Sequence, residues 1–140
     1  LGDVYKRQDF IDFALPTHAT SWDISNGFSW DKTSCKSDCS WFGFKLSVKP
    51  DAPFTRTELA KVLDENKIGN RMLFGGNLIK QPAFLELKKI NPNAFRVATD
   101  TSGSDKIMND TLFLGTYPGL TKPMLDFEIK VINDFVKKFN

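Results

Sequence analysis

The sequence predicts a small mixed α/β domain, built either as α/β layers or as an α+β sandwich. Two patterns carry this prediction. Residues 41–48 (WFGFKLSV) place Phe42, Phe44, Leu46 and Val48 on one side with the period of two that is typical of a strand. Near the C-terminus, apolar side chains recur at spacings of four and three, the period of one helical face: Leu125, Ile129, Ile132, Val136 and Phe139. A chain of 140 residues is long enough for one core.

The N-terminal part is predicted to contain little regular structure. Residues 1–8 show no periodicity and are predicted to be a non-native or disordered tail, such as a cloning or assembly scar. Residues 9–15 fit either the end of a helix or a short strand. Residues 16–40, rich in Ser, Thr, Asp, Asn and Gly, are predicted to form one long loop, parts of which pack down through Trp22 and Trp30.

A capping signal marks the first helix. Thr55 is followed three residues later by Glu58, as in a capping box, so the helix is predicted to begin there and to run to about Lys67. Gly69 is predicted to lie at its C-terminal end. The apolar face of this helix is formed by Leu59, Val62 and Leu63.

Six further elements are predicted downstream. They are a strand at residues 70–74, a short helix at 78–89 with Pro82 in its first turn, a short strand or extended run at 95–97, a helix at 106–111 capped by Ser104 or Asp105, an apolar strand at 112–115, and a last helix capped by Thr121 with Pro123 in its first turn.

Composition excludes several classes of function. The net charge is only +2 and the basic residues are dispersed, so nothing indicates a nucleic-acid or anionic-membrane partner. No apolar run approaches the ~20 residues that span a bilayer. Cys35 and Cys39 are too few for a disulfide scaffold, which fits a reducing compartment, and they cannot complete a zinc site. They are interpreted as free thiols, a local disulfide or incidental loop residues. His18 is either a general base or a packing residue, and no partner for catalysis is evident.

The most informative stretch is residues 67–84, where a predicted strand leads into two glycines and an Asn. Backbone N–H groups of Gly75-Gly76-Asn77 would suit a phosphate, with Arg71 as the counter-charge. The same residues would equally suit a tight turn from strand to helix, because glycine permits close packing. The residue pattern alone leaves both interpretations open.

Other residues near this stretch carry similar alternatives. Trp41 and Phe74 either stack on a base or sugar ring or belong to the core. Gln81 is a further fixed polar group. Acidic residues of the last helix, including Glu128, are predicted to be solvated.

Three segments resemble one family. They are residues 40–44 (SWFGF), residues 67–78 (KIGNRMLFGGNL) with Gln81-Pro82-Ala83, and residues 107–111 (IMNDT) followed by 115–121 (GTYPGLT). Their order and spacing resemble the C-terminal part of the nucleotide-sugar 3-dehydratases within the DegT/StrS group of sugar aminotransferases and dehydratases. The FGGNL segment is specific to the dehydratase branch, and the resemblance covers roughly residues 13–139.

The resemblance implies a fold and a chemistry. Residues 9–140 would be the small C-terminal domain of a fold-type I vitamin B6 enzyme, with a short, mostly antiparallel sheet covered by helices and with the large cofactor domain missing. The implied reaction is C3 deoxygenation of CDP-4-dehydro-6-deoxyglucose in dideoxysugar and lipopolysaccharide synthesis. It would use pyridoxamine phosphate or pyridoxal phosphate, a [2Fe-2S] cluster, a separate flavin/iron–sulfur reductase and a homodimeric, cytoplasmic enzyme.

The resemblance also implies which residues matter. The catalytic base and the metal ligands would lie upstream, so this chain is expected to supply neither; Cys35 and Cys39 do not match the cluster spacing, and His18 does not match the base. The chain would instead position substrate through Trp41, Arg71, Phe74, Gly75, Gly76, Asn77 and Gln81. Two alternatives stay open: a fragment of a nucleotide-sugar aminotransferase, and a non-catalytic structural or dimerisation domain.

Overall fold

The structure, a computed structural model, describes residues 10–13, 19–23, 27–31 and 40–139. The predictions for residues 1–8, His18, Cys35 and Cys39 therefore lie outside the described residues.

Six strands and four α-helices follow one another along the described chain. The strands are β1 (Ile11–Phe13), β2 (Ala19–Asp23), β3 (Gly27–Trp30), β4 (Gly43–Val48), β5 (Asn70–Met72) and β6 (Thr111–Gly115). The helices are α1 (Arg56–Glu65), α2 (Pro82–Ile90), α3 (Ser102–Asp110) and α4 (Lys122–Val136), with 3₁₀ turns at Leu78–Lys80 and Lys137–Phe139.

The main sheet has four strands in the order β1-β4-β6-β5, and every neighbouring pair is antiparallel. Its core face packs against α1 and α4, where Leu46, Leu59, Leu112 and Val136 are fully buried. On the opposite face, the hydroxyls of Ser47 and Thr111 form a buried hydrogen bond of 2.8 Å. The predicted α/β domain with a short antiparallel sheet is confirmed.

The prediction of one long loop over residues 16–40 is wrong where the chain is described. β2 and β3 form an antiparallel hairpin that stands apart from the main sheet. Thr20 Oγ1 also donates a hydrogen bond of 3.2 Å to the Ser29 carbonyl. The hairpin was visible only through its pairing, which sets Trp22 opposite Phe28 and Asp23 opposite Gly27 in the register.

Helix α1 begins as predicted and ends differently. Thr55 and Glu58 form the complete capping box. The helix ends at Glu65, and Lys67 (φ 60°), not Gly69, takes the left-handed position. The Lys67 N–H donates to Asp64 O and the Ile68 N–H donates to Leu63 O, which is a Schellman motif. Because the Ile68 side chain is buried in the core, the residue before it must take the turn, even though it carries a Cβ.

Two downstream segments differ from what the sequence predicts. Residues 91–101, all of which the structure describes, contain neither helix nor strand, so the strand alternative for residues 95–97 is wrong; Phe95 instead packs edge-on against Phe84 of α2. Helix α3 begins at Ser102 rather than at residue 106. Asp100 accepts a hydrogen bond from the Ser102 N–H, which starts the helix before Gly103, a residue that suggested a turn.

The strand β6 matches its prediction, and the last helix begins after Thr121 as predicted, although the Thr121 side chain makes no capping hydrogen bond. Thr111 to Leu114 of β6 are buried. In α4, Ile132 and Val136 are buried as the periodicity predicts, and Phe135 adds to the same surface. Phe139 lies in the 3₁₀ turn that follows and packs on Phe54 with ring centroids 5.2 Å apart.

Replacing Lys67 with Gly should stabilise the chain by about 1 kcal/mol, because glycine adopts a left-handed conformation without the clash that a Cβ introduces. The matched control is Lys61→Gly, the same change at an exposed site inside α1, which should destabilise by about 1 kcal/mol. Urea unfolding of the chain measures both changes. Equal losses in the two variants would contradict the role assigned to Lys67.

Candidate functional site

The turn after β5 is held by contacts with the rest of the chain. Phe74 (φ 52°) and Gly76 (φ 58°) both have left-handed backbones. A Cβ on Gly76 would lie 2.6 Å from Met108 Cβ and 2.9 Å from Met108 Cα on α3. The Gly75 carbonyl accepts a hydrogen bond of 2.9 Å from Gln81 Nε2. The close neighbour of Gly76 in the described chain is therefore α3, and Gln81 braces the turn from the other side.

Asn77 connects this turn to the start of α3. It is 2% exposed, and its Nδ2 donates to Asp105 Oδ1 (2.8 Å) and to Thr101 Oγ1 (3.2 Å). Lys80 Nζ lies 2.7 Å from the same Asp105 oxygen. The hydrogen bonds from Lys80 and Asn77 hold the pKa of Asp105 below its ordinary value. Asp105 thus remains an anion that fixes both donors, and the Asn77 amide nitrogen is already engaged.

An aromatic patch, defined here as Phe42, Phe74 and Phe113, lies next to the turn. Phe42 stacks on Phe74 with ring centroids 6.4 Å apart, and both rings lie near Phe113, at 5.5 Å and 6.3 Å. Phe113 is buried, whereas Phe42 is 73% and Phe74 is 78% exposed. Phe74 is therefore a bulky residue that combines a positive φ with a mostly exposed ring. This combination is unusual for a residue that serves only the core.

Arg71 extends from the aromatic patch into a groove. Arg71 on β5 is the register partner of Phe113 on β6, so both side chains project from the same face of the sheet. The groove, which has a volume of about 610 Å³, is lined by Phe42, Arg71, Phe113, Thr116, Tyr117 and Glu128. This volume lies within the range of sites that hold small molecules.

The predicted site residues thus fall into two groups. Gly75, Gly76, Asn77 and Gln81 build and brace the turn, whereas Arg71 and Phe74 lie at the groove and the aromatic patch. Trp41 is 43% exposed, and its backbone carbonyl accepts a hydrogen bond from Thr116 Oγ1, a groove residue. Whether these residues contact substrate stays a prediction.

Sequence reasoning missed several groove residues. Phe42 and Phe113 were visible only as strand residues, and Tyr117 only as part of a turn. Glu128, predicted to be solvated, is partly buried, and burial raises its pKa above the ordinary value. One signal in the sequence could have indicated this. The residues four positions before and after Glu128 are Met124 and Ile132, so no lysine on the helix can pair with it at that spacing.

Two further structural findings concern metal ligands and membrane-spanning helices among the described residues. They contain no group of three His, Cys, Asp or Glu side chains arranged to hold a metal ion. None of the helices in the described ranges has the length and apolar character needed to cross a membrane.

Fold and groove together define a small α/β domain with an open, cation-bearing groove at the end of an antiparallel sheet. Residues 23–132 match the model of the DegT/DnrJ/EryC1/StrS aminotransferase family. The chain belongs to this family, which confirms the predicted resemblance.

The curated relatives include a lipopolysaccharide biosynthesis protein and a nucleotide-sugar 3-dehydratase. The chain is 46% identical over 100 residues to the lipopolysaccharide biosynthesis protein RfbH of Salmonella typhimurium, covering 71% of this chain and 22% of that protein. It is 40% identical over 102 residues to the dTDP-4-dehydro-2,6-dideoxy-D-glucose 3-dehydratase of Saccharopolyspora spinosa, covering 73% of this chain and 21% of that protein. The chain therefore spans about a fifth of the length of these relatives.

Solved structures share the fold. The chain is similar to a GDP-4-keto-6-deoxymannose-3-dehydratase mutant with bound GDP-perosamine, with a TM-score of 0.65 and 22% identity over 93% of this chain and 28% of that one. It is equally similar to the E. coli GDP-4-keto-6-deoxy-D-mannose-3-dehydratase with bound hydrated PLP, at a TM-score of 0.65 and 22% identity over 93% of this chain and 27% of that one. At this identity, the likeness shows the fold.

Replacing Gly76 with Ala should destabilise the chain by about 2 kcal/mol or more, because the new methyl group meets Met108 and the backbone has positive φ. The matched control is Gly69→Ala, where no heavy atom lies within 4 Å of the added Cβ, and the expected change is below about 0.5 kcal/mol. Thermal or urea unfolding measures both variants. A Gly76→Ala variant as stable as Gly69→Ala would show that the turn does not pack on α3.

Replacing Asn77 with Asp should make stability depend on pH, because a second carboxylate would face Asp105. Like charges raise the folded-state pKa of one member of the pair, so the loss appears as pH rises and shrinks as pH falls toward about 4. Unfolding midpoints between pH 4 and pH 8 measure this dependence. The exposed loop variant Asn93→Asp is the control and should follow the unmodified chain throughout.

Proposed function

We propose that the chain is the C-terminal small domain of a vitamin B6-dependent nucleotide-sugar 3-dehydratase, and that its role is to position substrate. The proposed reaction removes the C3 hydroxyl of a nucleotide-linked 4-keto-6-deoxy sugar, with CDP-4-dehydro-6-deoxyglucose as the expected substrate in lipopolysaccharide synthesis. The supporting observation is a groove of ligand size in a chain of this family, with Arg71 and exposed aromatic rings beside it. Two curated relatives are named as 3-dehydratases of nucleotide sugars.

The cofactors of this proposal are assigned to the rest of the longer protein. Pyridoxal or pyridoxamine phosphate, when bound, supplies an electron sink for bond cleavage next to the sugar carbonyl. The groove is lined by neither lysine nor histidine, so its described residues do not fit a link to this cofactor. The described residues likewise hold no cluster of metal ligands, so a [2Fe-2S] cluster would take its ligands elsewhere. A flavin/iron–sulfur reductase, a homodimer and a cytoplasmic location complete the proposal.

Arg71 is proposed to bind the diphosphate of the substrate. A guanidinium forms paired, charge-assisted hydrogen bonds with phosphate oxygens. Within the described residues Arg71 makes no ion pair, and its side chain is exposed at the groove. The charge is therefore available to an anionic ligand.

Asn77 and Gln81 are proposed to act as positioning residues. The Asn77 Nδ2 is bound to α3, and the Gln81 Nε2 is bound to the Gly75 carbonyl. These bonds fix the backbone that presents Phe74 beside the groove. Direct contact between Asn77 and sugar hydroxyls would need its carbonyl oxygen or a rearrangement of the turn. Rigid orientation of a reacting group lowers the reaction barrier by about several kcal/mol. The bracing of the turn by Asn77 and Gln81 is proposed to contribute to this orientation.

A sugar aminotransferase is the second candidate, because the family model itself is described as an aminotransferase family. The two functions differ in the residue at the cofactor-linking position of the longer protein. A His at that position together with cluster cysteines would support the dehydratase, whereas a Lys would support the aminotransferase.

In the full-length enzyme, Arg71→Ala should raise KM for the nucleotide sugar about tenfold or more, because a charge-assisted contact is lost. The cofactor absorbance spectrum should stay unchanged. Mass spectrometry of the product, which detects loss of the C3 oxygen, measures the rate. Arg96→Ala, an exposed arginine on the loop before α3, is the matched control.

Two outcomes would contradict this proposal. If the sugar product gains an amino group and keeps its C3 oxygen, the proposed dehydratase is wrong and the aminotransferase is supported. Equal KM values for Arg71→Ala and Arg96→Ala would remove Arg71 from the substrate site and favour a purely structural domain.

A further inference from the structure

Glu128 differs from the other acidic residues of α4. Asp126 pairs with Lys122 at 2.6 Å and Asp134 pairs with Lys130 at 2.7 Å, each with a partner four residues before it. The residues at that spacing from Glu128 are Met124 and Ile132, so the helix provides it with no cation. Glu128 is also partly buried, whereas Asp126 is exposed.

The carboxylate of Glu128 and the guanidinium of Arg71 line the same groove without forming an ion pair. Within the described ranges, neither group has an oppositely charged partner within salt-bridge distance. Opposite charges that face one cavity without forming an ion pair are both available to a ligand that carries complementary groups at two separate points. Burial also raises the pKa of Glu128, which shows that its charge is poorly solvated and that hydrogen-bond donors would stabilise it.

The chemistry of the groove restricts what Glu128 can bind. A phosphate would be repelled by the carboxylate. A divalent cation needs several oxygen ligands, and the described residues present no such group here. Vicinal hydroxyls, in contrast, donate two hydrogen bonds to one carboxylate, the contact by which acidic residues bind ribose in dinucleotide sites.

We propose that Glu128 is a diol-binding residue, which accepts hydrogen bonds from vicinal hydroxyls of a nucleotide sugar whose diphosphate lies against Arg71. The inference rests on the proposed function and deepens it, because it assigns a second contact in the same groove. The diol belongs either to the ribose or to the hexose. Phe42 and Tyr117, which line the same groove and are both more than half exposed, provide apolar surface for the rest of the ligand.

The test measures binding to the full-length enzyme by isothermal titration calorimetry. The probes are CDP, GDP and UDP, the 2′,3′-dideoxy form of the tightest of these, and the same nucleotide linked to glucose. The variant is Glu128→Gln, which keeps the size of the side chain and removes its charge. Asp126→Asn is the control on the same helix, and urea unfolding shows whether each variant is folded.

A ribose contact predicts that Glu128→Gln weakens binding of the ribonucleotide about tenfold and leaves binding of the dideoxynucleotide unchanged. A hexose contact predicts about tenfold weaker binding of the glucose-linked nucleotide alone. Unchanged binding of every probe, or an equal loss for all of them, would overturn the role of Glu128.

Failure of the wider proposal looks different. If the unmodified enzyme binds none of the nucleotides, the proposed function fails, whatever the variant does. If Glu128→Gln does not fold, a comparison within the unmodified enzyme decides: equal affinities for the ribonucleotide, its dideoxy form and its glucose-linked form would overturn the diol contact.

Discussion

The pairing of β4 with β6 is the constraint on which the rest of the described structure depends. Ser47 and Thr111 are 64 positions apart in the chain, yet their hydroxyls share a buried hydrogen bond across this pair. β6 also pairs with β5 on its other side, so one strand sets the register of both neighbours. Because α3 ends at Asp110 and β6 begins at the next residue, the same pairing places α3. Met108 and Asp105 of α3 then hold the turn that contains Gly76 and Asn77.

Local signals in the sequence predict the elements whose structure has local causes. The capping box of Thr55 and Glu58 and the alternation along β4 are complete within a few residues. Lys67 shows where this reasoning fails. A nearby glycine suggested the end of α1, but the buried Ile68 decides which residue takes the left-handed conformation. The β2–β3 hairpin was missed for a related reason, since the pairing between two strands of five and four residues is not visible in either segment alone.

The candidate site was only partly predictable for the same physical reason. The glycines and polar residues between Arg71 and Gln81 indicated the region in which the braced turn lies, next to the groove. The sequence did not show that the segment has two roles, since the partners of Gly76 and Asn77 come from α3, about thirty residues later. Arg71 and Phe113 share a face only through strand register. Glu128 joins them because α4 starts beside the end of β6, a relation that no local pattern contains.

Exposed apolar surface by itself does not identify a ligand site in a chain that spans about a fifth of its relatives. Helix α2 exposes Leu85, Leu87 and Ile90. On the same helix Lys89 forms an ion pair with Glu86. Such a surface has the character of a contact between parts of a protein. The groove is different, because it is lined by aromatic rings together with a guanidinium and a carboxylate that form no ion pair with each other. Within the described residues the partly buried Glu128 carboxylate has no cationic partner, and burial of such a charge costs solvation energy, so a ligand with hydrogen-bond donors is the simpler explanation for this surface.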